Sequence, residues 1–133
     1  YSGIGSFGLE CISRKAKSVS FVESQKEVAK ILDKNITNLK VNNKTKIYCT
    51  DVLKFIQKKA NFGFDLIFCD PPFKNIDIEN LVEFIYINKL LKKNGILIIH
   101  RNKKTKEKFP DFFKIIEEKI YGISKIIFAK ILS

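Results

Sequence analysis

The sequence predicts an α/β fold built on a doubly wound, mostly parallel sheet. Three observations carry this. Strand-like and helix-like segments alternate along most of the chain, the pattern of βαβ units. Two strand segments, Phe64–Cys69 (FDLIFC) and Ile96–Ile99 (ILII), are apolar on nearly every residue, as strands covered on both faces are. The chain opens on Tyr1-Ser2-Gly3-Ile4-Gly5-Ser6-Phe7-Gly8, a glycine-rich stretch of the kind that joins a first strand to a first helix in such sheets.

The elements follow in order. After Gly8, small and apolar residues through Ile12 suit a helix running to about Arg14. Ser18–Glu23 reads as a strand ending in an acid. Ser24–Leu39 reads as a helix, with Val28, Ile31, Leu32 and Ile36 at helical spacing. Lys46–Cys49 is a short strand. Asp51 stands where it can cap the next helix, in which Val52, Phe55 and Ile56 share a face. Pro71-Pro72 stops the FDLIFC strand at once. Ile78–Leu91 is expected to be helical, Asn94-Gly95 a turn, and Asn102–Lys108 a polar, basic loop. Phe112–Lys119 reads as a helix, followed by strands at Ile120–Gly122 and Lys125–Ile131 around a Gly122 turn. Nothing helical separates those two, so the last strand is expected to run antiparallel. A glycine loop of this type follows a strand, so a central strand is expected upstream of Tyr1.

A length of 133 residues suits one domain, expected to span the whole chain, and 45% apolar with 29% charged residues is an ordinary globular mix. The net charge of +11 favours polyanionic partners, nucleic acid or an anionic membrane surface. Arg14 and Arg101 are the only arginines, so lysine supplies nearly all of that charge. A solvated lysine surface written by A+T-rich coding is the competing account. Cys11, Cys49 and Cys69 are odd in number and widely spaced, which excludes a disulfide framework and a CxxC pair. His100 is the only histidine, so a zinc site or a Ser-His-Asp triad is hard to build. No apolar run is long enough for a membrane helix and no signal peptide is visible. A cytoplasmic protein without metal or membrane partner, most simply a monomer, is the expectation.

Gly3, Gly5 and Gly8 match G-x-G-x-x-G, where glycine lets the backbone turn tightly and approach a ligand. Glu23 closes the next strand, where a carboxylate can accept from two ribose hydroxyls; a solvated acid at a strand end is the alternative. Asp70-Pro71-Pro72-Phe73 follows a strand predicted to be buried, which places it at the carboxyl edge of the sheet, where open α/β folds bind ligands. A capped Pro-Pro turn would explain it structurally. The chemical reading is specific. An exocyclic amino group on a base is a poor nucleophile, because its lone pair is delocalised into the ring. If Asp70 and the Pro71 carbonyl both accept from that group, its nitrogen becomes more tetrahedral and more electron-rich. Phe73 can stack on the base, worth about 1–3 kcal/mol. The nitrogen then attacks an activated methyl in line, with positioning supplying most of the acceleration.

The opening loop resembles motif I of S-adenosylmethionine-dependent methyltransferases, and Asp70–Phe73 resembles their amino-methylating motif, [DNS]-P-P-[FY]. YSGIGSFGLECISRKA, SFVE, FDLIFCDPPF and a late Tyr121-Gly122 together resemble the RsmD family, which methylates a guanine N2 in bacterial small-subunit ribosomal RNA. The resemblance implies a Rossmann-like class I methyltransferase fold with an antiparallel last strand. It implies S-adenosyl-L-methionine as cofactor and ribosomal RNA or the small ribosomal subunit as partner. Gly3, Gly5 and Gly8 would surround the methionine moiety, Glu23 would hold the ribose, Asp51 would lie near the adenine, and Asp70, Pro71, Pro72 and Phe73 would form the reacting motif, with Asp70 close to the cofactor as well. A helix cap explains Asp51 almost equally well. Glu10 matches the family too, with a packing or loop-bracing role expected.

The chain departs from the family at two places. The acid-tipped first strand and the basic N-terminal hairpin lie outside the sequence. His100 stands after the fifth family strand, where an acid or small polar residue is expected; a structural hydrogen-bonding role suits it. Arg101–Lys108 (RNKKTKEK) leaves the same region and reads as a loop contacting an RNA backbone. Two other functions remain open: a DNA adenine or cytosine amino-methyltransferase using the same tetrapeptide on a flipped base, and a non-catalytic nucleic-acid-binding module. A nicotinamide-dependent oxidoreductase leaves Asp70–Phe73 unexplained.

Overall fold

Each sheet contains one parallel strand pair in the computed structural model, which describes residues 5–71 and 77–132. The chain divides into two compact units, Tyr1–Phe55 and Ile56–Ser133.

In the first unit, α1 (Ser6–Ser13) leads to β1 (Val19–Val22), α2 (Lys26–Asn38), a 3-10 turn at Asn42–Lys44 and β2 (Thr45–Tyr48); α3 (Val52–Lys58) begins here. β1 and β2 pair in parallel, from Val19 opposite Thr45 to Val22 opposite Tyr48. α2 turns Ala29, Leu32 and Ile36 inward at helical spacing. Leu32 and Ile36 form a core with Phe21, ringed by Leu9, Val19, Val41 and Ile47. Fully burying a side chain such as Leu32 contributes about 1.5–3 kcal/mol. Ile31, expected on the same face, is 50% exposed.

In the second unit, β3 (Phe64–Cys69), α4 (Ile78–Ile87), β4 (Leu91–Asn102), β5 (Phe113–Tyr121) and β6 (Ser124–Ile131) build a sheet in the order β3-β4-β6-β5. β3 and β4 are parallel, and β6 runs antiparallel to both of its neighbours. Three strands thus share one direction and the last opposes them, as expected. Asp77 caps α4 by accepting from the Asn80 N–H at 3.2 Å, and Ile78, Leu81, Val82 and Ile85 form its buried face. The buried Leu97, Ile99, Ile127 and Ala129 come from β4 and β6.

Four local expectations need correction. Phe112–Lys119 is not a helix: Phe113–Tyr121 is β5, the strand at one edge of the sheet. The helix-forming glutamates and lysines there are overridden by pairing with β6, and a register shift between Ile115 and Glu117 breaks the strict alternation that marks a strand. Strand β3 is not covered on both faces, since Leu66 is 42% exposed; among the described residues β3 lies at the other edge of its sheet and pairs only with β4. Helix α4 stops at Ile87 rather than Leu91, with Asn88 donating its side-chain amide to the Phe84 carbonyl at 2.8 Å. Asn94-Gly95 then falls inside β4, where the pairing jumps from Phe64–Leu91 to Leu66–Ile96.

Candidate active site

Gly5 and Gly8 are required by packing. Gly5 has φ +88, a left-handed conformation that favours glycine, and it precedes α1 directly. A Cβ on Gly5 would overlap Leu32 Cδ1, and one on Gly8 would overlap the Phe21 ring. The two glycines therefore let α1 sit close against β1 and α2, the helix–strand approach that the third glycine of such loops serves. Gly3 lies outside the described residues.

Glu23 follows β1, and its N–H donates to the Tyr48 carbonyl at 3.1 Å. The residue is 7% exposed, and its Oε2 accepts from the Gln25 N–H at 3.1 Å. A carboxylate held away from water is costly unless hydrogen-bonded, and it can accept about four hydrogen bonds. A vicinal diol is a suitable donor for such a group, so the residues fit a nucleoside-bearing cofactor. Asp51 is exposed, and its Oδ2 accepts from the N–H groups of Leu53 at 3.0 Å and Lys54 at 3.3 Å. That is a helix cap for α3.

In the second unit, Asp70 leaves the carboxyl end of β3. Cys69 pairs with Ile99 in the parallel β3–β4 ladder, so the next residues, Asp70 and His100, are neighbours. His100 Nδ1 lies 2.8 Å from Asp70 Oδ1, and Nε2 lies 2.8 Å from Ser124 Oγ. The Asp70 side chain is 45% exposed and that of His100 is 23% exposed. Pro71 is fully buried, which fixes the backbone just after Asp70. Burial pushes the Cys69 thiol up to about 12, so it is neutral and chemically quiet beside the carboxylate. Pro72 and Phe73 lie outside the described residues. Among the described residues no group of three or more His, Cys, Asp or Glu side chains is placed to hold a metal ion.

The family described as Conserved hypothetical protein 95 matches residues 1–130. The chain belongs to this family. Ribosomal RNA small subunit methyltransferase D of Haemophilus influenzae is 33% identical over 125 residues, which cover 92% of this chain and 65% of that protein. The chain thus spans a little less than two-thirds of that relative's length. A solved structure from the same organism is 31% identical with a TM-score of 0.87, covering all of this chain and 84% of that one. A conserved hypothetical protein of Streptococcus pyogenes superposes with a TM-score of 0.89 at 25% identity, covering 82% of its chain. The chain therefore has the Rossmann-like class I methyltransferase fold.

In this family member the basic segment after β4 divides into two parts. Arg101 is 4% exposed, and its Nε donates to Glu107 Oε1 at 2.7 Å. It belongs to the interior and is not a surface cation for RNA, which corrects the reading of Arg101–Lys108 as a uniform contact loop. Lys103, Lys104, Lys106 and Lys108 are exposed. Because β3 and β4 are parallel, this loop leaves the same end of the sheet as Asp70. Glu10 pairs with Arg14 at 2.9 Å on the surface of α1, a bracing contact within the helix. Among the described residues no helix is long and apolar enough to cross a membrane. Ser124 is the residue that sequence reasoning missed; only the β4–β6 register brings it to His100.

Proposed function

We propose that this protein transfers a methyl group from S-adenosyl-L-methionine to the exocyclic N2 of a guanine in small-subunit ribosomal RNA. The observation that carries this reading is Asp70: a half-exposed carboxylate, followed by a buried proline, at the carboxyl end of a parallel strand in a methyltransferase fold. The relatives named for ribosomal RNA methylation supply the substrate class.

Each residue has a stated task. Gly5 and Gly8, with Gly3 before them, shape the backbone around the cofactor's methionine end. Glu23 accepts from the ribose hydroxyls, and Asp51 uses its second oxygen for the adenine amino group. When bound, S-adenosyl-L-methionine supplies a methyl on a sulfonium, whose sulfur keeps the electron pair of the broken C–S bond. Asp70 and the Pro71 carbonyl accept from the guanine amino group and turn its lone pair outward to form the new N–C bond. The nitrogen's surplus proton leaves to water. Pro72 holds the loop and Phe73 stacks on the base. Lys103, Lys104, Lys106 and Lys108 contact the RNA backbone, which positions without reading sequence.

Nucleoside mass spectrometry of ribosomal RNA and DNA from source cells with and without the gene tests the reading. Loss of N2-methylguanosine from small-subunit RNA, restored by the wild-type gene and not by Asp70→Ala, is expected. Persistence of that nucleoside, or loss of a methylated base from DNA instead, overturns it.

A further inference from the structure

We propose that His100 is a positioning residue for methyl transfer: it holds Asp70 through Nδ1 while Ser124 anchors the far nitrogen of its ring. The inference rests on the reading of Asp70 given above. His100 is the only histidine of the 133 residues, and it bridges two side chains that come from different strands. The register explains the meeting: Asp70 follows Cys69, which faces Ile99, while β6 pairs Ile126 with His100 and Ser124 with Asn102. Ser124 is thus the diagonal neighbour of His100 across β4 and β6.

The chemistry orders the hydrogens along this chain. An ionised carboxylate only accepts, so the contact at 2.8 Å requires a hydrogen on His100 Nδ1. A neutral imidazole with Nδ1–H has a bare Nε2, which must accept. Ser124 can donate its hydroxyl hydrogen there, again at 2.8 Å. A serine hydroxyl can donate or accept, so Ser124 accommodates this tautomer, which the acceptor-only carboxylate of Asp70 fixes. Holding Oδ1 has a consequence for Oδ2. The terminal torsion of an aspartate is broad and roughly two-fold, so an unheld carboxylate samples many directions. With Oδ1 held by His100, Oδ2 keeps one direction and is the oxygen left for the guanine amino group. Positioning supplies most of the acceleration in this chemistry, and a displacement of about 1 Å can cost about 100-fold. His100 itself neither gains nor loses a proton during the transfer.

The test uses the protein as its gene encodes it, assayed on small-subunit RNA from cells lacking the gene. His100→Leu is expected to lower kcat about 10- to 100-fold, with KM for S-adenosyl-L-methionine and for RNA within about twofold. His100→Asn, whose amide nitrogen can stand near the Nδ1 position, is expected to recover most of the loss. Imidazole nitrogen NMR gives a readout independent of turnover. The signal that vanishes in His100→Asn should report Nδ1–H in the wild type and should shift toward Nε2–H in Asp70→Ala, where the acceptor that fixes it is gone. An Nε2–H tautomer in the wild type overturns the proposal. So does unchanged kcat in a folded His100→Leu protein, or failure of a folded His100→Asn protein to recover. If Asp70→Ala keeps full turnover, the reading of Asp70 falls instead, and the tautomer signal still decides whether His100 is held.

Discussion

Arg101 Nε donates to Glu107 Oε1 at 2.7 Å, and the two side chains are only 4% and 6% exposed. Arg101 faces Lys125 across β4 and β6, so two like charges meet at one position in the sheet. Glu107 offsets both: Lys125 Nζ lies 3.5 Å from its Oε2 and donates to the Thr105 carbonyl at 2.8 Å. The loop after β4 is thereby tied back to the sheet that carries Asp70 and His100.

Glu107→Gln should cost about 3–5 kcal/mol of stability in urea titrations at neutral pH, because it leaves two buried cations without their counter-charge. Burial pushes the Glu107 carboxyl up, but hydrogen bonds from Arg101 and Thr105 and the charges of Lys125 and Arg101 outweigh it, leaving it below its ordinary 4.5. A depressed folded value contributes stability that is full above the unfolded value and lost as pH falls through the folded one. The stability gap between wild type and Glu107→Gln should therefore begin to narrow as pH falls below the ordinary 4.5 and through the lower folded value. A gap that stays constant down to pH 3 would falsify this account.

Much of the candidate site is legible one strand at a time. Glu23 and Asp70 are acids that end or follow short apolar strands, and chain order alone puts each at a carboxyl edge. The Asp51 cap is equally local, since its partners are the next helical amides at Leu53 and Lys54. The contacts of His100 were not legible. Its partners lie 30 and 24 positions away, and which residues meet there depends on the register of two separate strand pairs. Strand β5 is hidden in the sequence for a related reason. Ile115, Ile116 and Ile120 are all substantially exposed, so their spacing does not report a buried face. Pairing with β6 decided that segment, and no local pattern encodes it.

Gly8→Ala should destabilise the first unit by about 1–3 kcal/mol, the usual penalty for overpacking a filled core. The new Cβ meets the Phe21 ring, which is 3% exposed and surrounded by the Leu32–Ile36 core. Combining it with Phe21→Leu should cost less than the sum of the two single changes. A double-mutant cycle by chemical denaturation reads the coupling. Strict additivity would mean that the glycine is not needed for this contact.

Asp51 carries a cap and, in the proposed function, a cofactor contact, and two substitutions separate them. Asp51→Ala should lose about 1 kcal/mol of stability with the cap. Asp51→Asn keeps an oxygen for the Leu53 and Lys54 amides, so its melting temperature should stay close to wild type. Its amide hydrogens would then face the adenine amino group, donor against donor. Calorimetry should show weaker binding of S-adenosyl-L-methionine by Asp51→Asn, about tenfold for the loss of a charged hydrogen bond. Equal affinity in a stable Asp51→Asn protein would reduce Asp51 to its cap.

The four exposed lysines of the loop after β4 make a quantitative prediction about RNA. Each lysine that neutralises a phosphate releases counterions and adds about 0.7–0.9 to the slope of log affinity against log salt. Changing Lys103, Lys104, Lys106 and Lys108 together to glutamine should flatten that slope by up to about 3.6. Affinity should fall most at low salt, while binding of S-adenosyl-L-methionine holds. Arg101→Gln should behave differently, lowering stability with little change in slope, because its charge is spent inside on Glu107. An unchanged slope in the four-lysine variant would move the RNA contact away from this loop, to other basic residues of the +11 chain.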